Sequence, residues 1–261
     1  MPPILTHDVD IAIIGSGFSG SLLAMIARRL GRSAVLLERG HHPRFAIGES
    51  STPLASLLLE EIARRYDLPR LLPLGKYGTW RRAYPDVGCG LKRGFSFFRH
   101  EAGAPFATDA AHTNQLLVAA SPHDDIGDLH WYRPDFDHFF VREAQALGAA
   151  YLEGVNLTSF TAGPDGARLD GDGLRVRARL VVDATGPRGF LHRHLKLGER
   201  PLPGLPPTQT LFNHFTGVRR FADVVPRAFA ATPPYAPDDA AVHHVFDGGW
   251  IWVLRFDNGI T

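Results

Sequence analysis

The chain has 261 residues, 44% of them hydrophobic and 21% charged, enough to bury a core in one large domain or two small ones and too apolar for a disordered chain. Lys and Arg number 28 against 27 Asp and Glu, a formal net charge of +1, so no polyanion is implied and nucleic acid is not an expected partner. The single cysteine, Cys89, excludes an internal disulfide and a cysteine-based zinc site, and no apolar run reaches the ~18 residues of a membrane span.

In chain order, Asp10–Ile14 reads as a short buried strand. Gly20–Leu30 reads as a helix with Leu22, Leu23, Ile26, Ala27 and Leu30 at helical spacing, closed by Gly31. Ser33–Glu38 is a second apolar strand, and a strand–helix–strand unit of this kind starts a parallel sheet. Pro53–Tyr66 is a helix expected to bury Leu54, Leu57, Leu58 and Ile62; Cys89–Phe98 is a strand; Pro134–Leu147 is a helix closed by Gly148. Short strands follow at Ala150–Leu152, Thr158–Thr161, Gly166–Asp170 and Gly173–Ala178, and Leu180–Asp183 is a buried strand ending in a Gly-containing turn. Pro-rich loops occupy Pro201–Pro207 and Thr232–Pro237, and strands are expected at Thr210–Gly217, Ala241–Phe246 and Trp250–Phe256. The order fits an α/β nucleotide-binding part interrupted by a β-rich layer.

Gly15-Ser-Gly17-Phe-Ser-Gly20 lies between the first strand and the first helix. In such a loop Gly15 permits the tight turn, Gly17 lets the backbone approach a pyrophosphate, and Gly20 lets helix and strand pack closely. The helix start, with Phe18 and Ser19, turns free N–H groups and a positive dipole end toward the phosphates. Glu38 ends the second strand, where a carboxylate accepts bonds from ribose hydroxyls and repels a 2′-phosphate. Arg39 follows it. No HExxH and no GxSxG occurs, so neither a metal site nor a hydrolase elbow is expected. The N-terminus lacks a basic segment followed by an apolar stretch, so a signal peptide is not expected and a cytoplasmic location is.

Further segments carry a resemblance. Leu180-Val-Val-Asp183-Ala184-Thr-Gly186 and Arg133-Pro-Asp-Phe-Asp137 resemble those of flavoprotein oxidoreductases that bind FAD. Arg44-Phe-Ala-Ile-Gly-Glu49-Ser50-Ser-Thr-Pro, Leu91-Lys92-Arg-Gly-Phe-Ser-Phe-Phe98 and Gly248-Gly-Trp250-Ile-Trp252 are similar to the tryptophan-halogenase-like branch of the FAD-dependent monooxygenases, the flavin-dependent halogenases. The similarity runs from about residue 9 to the end. It departs after Trp252, where Val253-Leu254-Arg255 replaces the family's continuation through Ile-Pro.

The resemblance implies an α/β fold, a Rossmann-like FAD-binding domain with an inserted or adjacent β-rich substrate layer. Residues 1–200 would form the FAD-binding region, interrupted by 76–130 from the substrate layer, and 201–261 would continue that layer, truncated at its end. It implies a FAD-dependent halogenase or monooxygenase: reduced FAD from a separate flavin reductase, O2 and a halide give hypohalous acid, which crosses a tunnel to a Lys. The Lys delivers halogen to a small aromatic, enol or carrier-bound substrate. Lys92 and Lys76 are candidates for it, Lys92 the stronger because it opens an aromatic strand, and Glu49 is the second catalytic candidate. FAD is expected to touch Arg44, Ser50, Arg133, Asp183, Ala184 and Gly186, and Trp250 and Trp252, on one strand face, to screen the flavin from substrate. Phe95, Phe97 and Phe98 either line an aromatic site or pack in a core. A hydroxylase and a non-catalytic FAD-binding fragment are the alternatives.

Overall fold

The computed structural model describes residues 4–187, 189–225 and 234–261. The chain runs β1 (Leu5–Ile14), α1 (Phe18–Arg29), β2 (Ala34–Leu37), α2 (Pro53–Arg65), a 3-10 segment and α3 (Tyr77–Ala83). It continues through β3 (Cys89–Lys92), β4 (Gly94–Arg99), β5 (Gln115–Ala119), β6 (Asp128–Trp131), α4 (Arg133–Ala146), β7 (Ala150–Leu152), β8 (Leu157–Gly163), β9 (Gly166–Gly171) and β10 (Leu174–Asp183). The last elements are α5 (Phe190–His194), α6 (Phe221–Val224), β11 (Ala241–Phe246) and β12 (Gly249–Val253). They form two compact units, one from residues 1–45 and 133–211, the other from 46–132 and 212–261.

The first unit is built on a six-stranded sheet in the order β7-β2-β1-β10-β9-β8. Its β7, β2, β1 and β10 are parallel, while β9 pairs antiparallel with β10 and β8 antiparallel with β9. Central strands buried on both faces read as continuous apolar runs, which is why Ile11–Ile14 and Ala34–Leu37 are legible. Ala12, Ile14, Val35, Leu37, Leu169, Val176 and Phe190 make one core cluster. The expected strands Gly173–Ala178 and Leu180–Asp183 are one strand, because β10 keeps one register with β1 on both sides of Arg179.

Helix α1 starts two residues earlier than its apolar pattern, at Phe18, and ends at a Schellman turn. Gly31 (φ +71) donates to Arg28 O at 3.0 Å, and Arg32 N donates to Ala27 O at 2.9 Å. Gly148 closes α4 in the same way through Gln145 O and Ala144 O.

The second unit holds a four-stranded sheet, β12-β11-β4-β5, and a two-stranded one, β3-β6. The expected strand Cys89–Phe98 is two strands that break at Arg93. Its guanidinium binds Asp124 and the carbonyls of Ser121 and Pro122, and its N–H donates to Asp239 O at 2.7 Å. Before that anchor the chain pairs with β6, and after it with β11 and β5.

Helix α2 begins at Thr52, whose side chain accepts from Ala55 N, with Pro53 in the first turn. It buries Ser56, Leu59 and Ala63 and leaves Leu54, Leu57 and Leu58 exposed, the reverse of the face expected from its leucines. Thr210–Gly217 is not a strand: it makes one bridge, Thr216 with Ile260, and Leu211, Phe212 and Phe215 are exposed. β12 ends at Val253, short of Phe256. Thr232 and Pro233 of the second Pro-rich loop lie outside the described residues.

Candidate functional site

At the carboxyl ends of β1 and β2, the first unit has a cleft of about 440 Å³ lined by Gly15, Glu38, Arg39, Gly40, Arg44, Ala184 and Thr185, among others. Crevices outside the carboxyl ends of parallel strands are where nucleotides bind in open α/β sheets. Two glycines of the loop are there for backbone approach. Gly15 (φ +99) would place a Cβ 2.7 Å from Ala184 O, and a Cβ on Gly20 would lie 2.1 Å from Gly15 O. Gly17 differs. It has ordinary backbone angles, and its Cβ would meet only side-chain ends: Arg133 Nη2 at 3.6 Å, Asp137 Oδ2 at 3.7 Å and Arg44 Nη2 at 3.9 Å.

The start of α1 has no side-chain cap of its own. Phe18 N instead donates to Asp137 Oδ1 at 3.3 Å, and Asp137 is held bidentate by Arg133 at 2.7 and 2.8 Å. Arg133 also stacks over the Phe18 ring, 4.8 Å from its centroid, while Ser19 is exposed on the first turn. Asp137 is fully buried and is a residue that sequence reasoning left out, although its i, i+4 spacing from Arg133 on a helix was a readable signal.

Glu38 faces the cleft. Its Oε2 accepts from Ser16 N (3.2 Å) and Ser16 Oγ (2.9 Å), its Oε1 from Gly40 N (2.9 Å), and Arg44 lies 3.4 Å away. Burial opposes its ionisation, but the Gly40 and Ser16 N–H groups and Arg44 prevail and hold the carboxyl below the usual range. Asp183 is committed to its own turn: it accepts from Thr185 N at 3.1 Å, from Thr185 Oγ1 and from Leu191 N at 2.6 Å. That fixes Ala184 and Thr185 on the cleft wall, with Gly186 (φ +86) exposed beyond them.

In the second unit, β6 organises the other candidates. On one side it pairs with β3, which sets Lys92 opposite Asp128 and Gly90 opposite His130. On the other runs the Gly-Glu-Ser segment: Trp131 N donates to Glu49 O at 2.6 Å, Ser50 bridges His130, and Ser51 N donates to Leu129 O at 3.1 Å. Lys92 is 1% exposed. Its ammonium donates to the carbonyl oxygen of Ser51 and lies 4.2 Å from the Phe95 ring centroid. Burial pushes its pKa down to about 8, against the pull of Asp128. Lys76 is half-buried, at the start of α3.

The Glu49 carboxylate is met by His214 Nε2 at 3.1 and 3.0 Å, and both side chains are about nine-tenths buried. His214 was missed because it falls in a stretch read as strand, and nothing in its neighbourhood marks it. Trp250 and Trp252 share one face of β12 as expected, with ring centroids 6.1 Å apart, and both are more than half exposed. Phe98 is core, while Phe95 and Phe97 stack beside His243 on the sheet.

A family model for FAD dependent oxidoreductases matches residues 10–212. The chain belongs to that family. Within the FAD dependent oxidoreductases it groups with the flavin-dependent halogenases. It is 31% identical to monodechloroaminopyrrolnitrin halogenase of Pseudomonas fluorescens, over 98% of this chain and 44% of that protein. It is 32% identical to tetracycline 7-halogenase of Kitasatospora aureofaciens, over 95% of this chain and 44% of that protein. The structure of halogenase PltM in complex with phloroglucinol and FAD superposes with a TM-score of 0.81 at 28% identity, covering 96% of this chain and 48% of that one. The chain thus spans about half the length of these relatives. FAD is the cofactor of this family, and no helix among the described residues is long and apolar enough to cross a membrane.

Proposed function

We propose that this chain serves a flavin-dependent halogenase that uses reduced FAD, O2 and a halide to halogenate an aromatic or enol substrate, free or carrier-bound. The observation that carries the reading is Lys92, a fully buried amine whose pKa is brought down to about 8.

The cleft of the first unit fits the ADP half of FAD. Gly17 faces the ends of Arg133, Asp137 and Arg44 rather than backbone, so a ligand can approach where a side chain would stand. The N–H groups at the start of α1 and the positive charges of Arg44 and Arg133 suit a pyrophosphate. Glu38, held ionised, suits ribose hydroxyls; Arg39 and Ala184 line the same cleft, Phe18 and Ser19 supply the first turn, and Asp183 and Gly186 shape its wall. Bound reduced FAD supplies the electrons with which O2 and halide become hypohalous acid.

This chain's own contribution is the transfer. About one Lys92 in ten is neutral at pH 7 with a pKa of about 8. That amine forms an N–halogen bond as the oxygen–halogen bond of hypohalous acid breaks, and its proton leaves with the hydroxide as water. The ring carbon of the substrate then takes the halogen as the N–halogen bond breaks, returning the electron pair to nitrogen, and the ring releases a proton. Glu49, oriented by His214, is the base assigned to that proton, with Ser50 and Ser51 fixing the segment against β6. Trp250 and Trp252 are assigned to screen the flavin from substrate. The supply of reduced FAD is assigned to a separate flavin reductase.

The test is product mass from the full-length enzyme given reduced FAD, O2, chloride or bromide, and a panel of phenols, indoles and pyrroles. Gain of a halogen is expected, lost in Lys92→Ala while reoxidation of reduced FAD by O2 persists. Gain of one oxygen and never of a halogen would establish the hydroxylase instead, an alternative favoured by the Val253-Leu254-Arg255 that follows Trp252.

A further inference from the structure

We propose that Asp128, facing Lys92 across β3–β6, is its buried counter-charge and sets how much of its amine is neutral. The inference rests on the assignment of halogen transfer to Lys92.

Asp128 and Lys92 are directly opposed in the antiparallel pair β3–β6, which puts both side chains on one face with Cβ atoms ~4.5–5.5 Å apart. Lys92 is 1% and Asp128 2% exposed. The groups that receive the ammonium are the carbonyl of Ser51 and the ring of Phe95. Neither carries a formal charge, so alone they compensate poorly for desolvating an ammonium. Asp128 supplies the missing negative charge from the facing strand.

The remaining titratable groups around the pair do not offer an equivalent. His130, on the same face of β6, is fully buried and neutral near pH 7, its pKa pushed down to about 3 by burial and by the charge of Lys92. Its Nε2–H donates to Ala240 O at 3.3 Å, so its Nδ1 carries a lone pair, not a charge. His243 on β11 is likewise lowered by burial. Lys76 acts on Asp128 with the same sign as Lys92 and so competes for it. Asp128 is therefore the carboxylate that opposes the fall in the basicity of Lys92, and Lys92 in turn opposes the rise that burial imposes on Asp128.

The consequence is chemical. Halogen transfer needs the neutral amine, and a carboxylate opposite it restrains deprotonation. Replacing Asp128 by Asn should lower the Lys92 pKa by ~1 unit or more, raise the neutral fraction at pH 7, and move the acid limb of the halogenation profile to lower pH.

The experiment is a ¹⁵Nζ-lysine NMR titration of the full-length protein with FAD bound, the Lys92 signal being the one lost in Lys92→Met, run beside the pH–rate profile for halogenation. In Asp128→Asn the midpoint and the acid limb should fall together, and Asp128→Glu should bring both back toward the parent. A midpoint unmoved in Asp128→Asn overturns the proposal. If Asp128→Asn does not fold, Lys92→Met reads the same coupling from the other side: the carboxyl titration of Asp128 should rise, and no change there overturns the proposal equally. Halogenation that survives in Lys92→Met would remove Lys92 from the transfer step, while a Lys92 midpoint that falls in Asp128→Asn would leave the coupling of the two groups standing.

Discussion

Gly17 and Gly20 belong to one loop but are glycine for different reasons, and the difference is testable. At Gly20 a Cβ would collide with Gly15 O at 2.1 Å, a backbone atom that cannot move without breaking the turn. At Gly17 the backbone is ordinary and the nearest atoms are side-chain ends beyond 3.5 Å. Gly17→Val is therefore expected to keep the melting temperature of the apoprotein and to abolish FAD binding. Gly20→Ala should lower the melting temperature of the apoprotein as well. Calorimetric titration with FAD, paired with thermal melts of the apo forms, checks both; unchanged FAD affinity in Gly17→Val would remove the loop from the cofactor site.

At the scale of elements, α2 and β6 show how burial departs from composition. The leucines of α2 that dominate its sequence, Leu54, Leu57 and Leu58, are exposed, whereas Leu59 is packed beside Ser56 and Ala63. Leu59→Ala should cost ~2–5 kcal/mol through the cavity it leaves. Leu57→Ala in this chain should stay within ~0.5 kcal/mol. Urea titration distinguishes the two, and equal losses would mean that the buried face is the one expected from the sequence. β6 has only four residues, all buried, two of them Asp128 and His130. Polar residues so placed hide a strand from pattern reading, yet this one aligns both the Gly-Glu-Ser segment and Lys92.

For the whole molecule, buried bases decide the response to pH. Burial pushes His130 down to about 3, and burial with the charge of His100 pushes His244 down to about 4. Both take up protons more readily in the unfolded chain, near the ordinary value of 6.5, so stability falls as pH drops from 6.5 toward those values. Lys92, at about 8 against 10.5, acts in the same direction in its own window, stability rising from about pH 8 to 10.5. The chain should thus withstand more urea at pH 8 than at pH 5, by on the order of a few kcal/mol. His130→Gln should flatten the acid side of that profile. A midpoint independent of pH between 5 and 8 would contradict the neutral burial of these histidines.

The sequence by itself determined the β1–α1–β2 unit, the glycine loop, the cleft-facing Glu38 and the continuous apolar strands, because these depend on neighbours close in the chain: a period of 3.6, a glycine where backbone meets backbone, an apolar run buried on both faces. It also singled out Lys92 and Glu49, though only through resemblance. The tertiary structure alone decided what holds them. Asp137 clamps the start of α1 from a helix more than a hundred residues away, and His214 meets Glu49 from a segment that makes a single bridge. Asp128 comes opposite Lys92 because Arg93 ends one pairing and starts another. Each of these brings polar groups of distant segments together through strand register and burial rather than local periodicity, and no pattern along the chain shows which segments will meet.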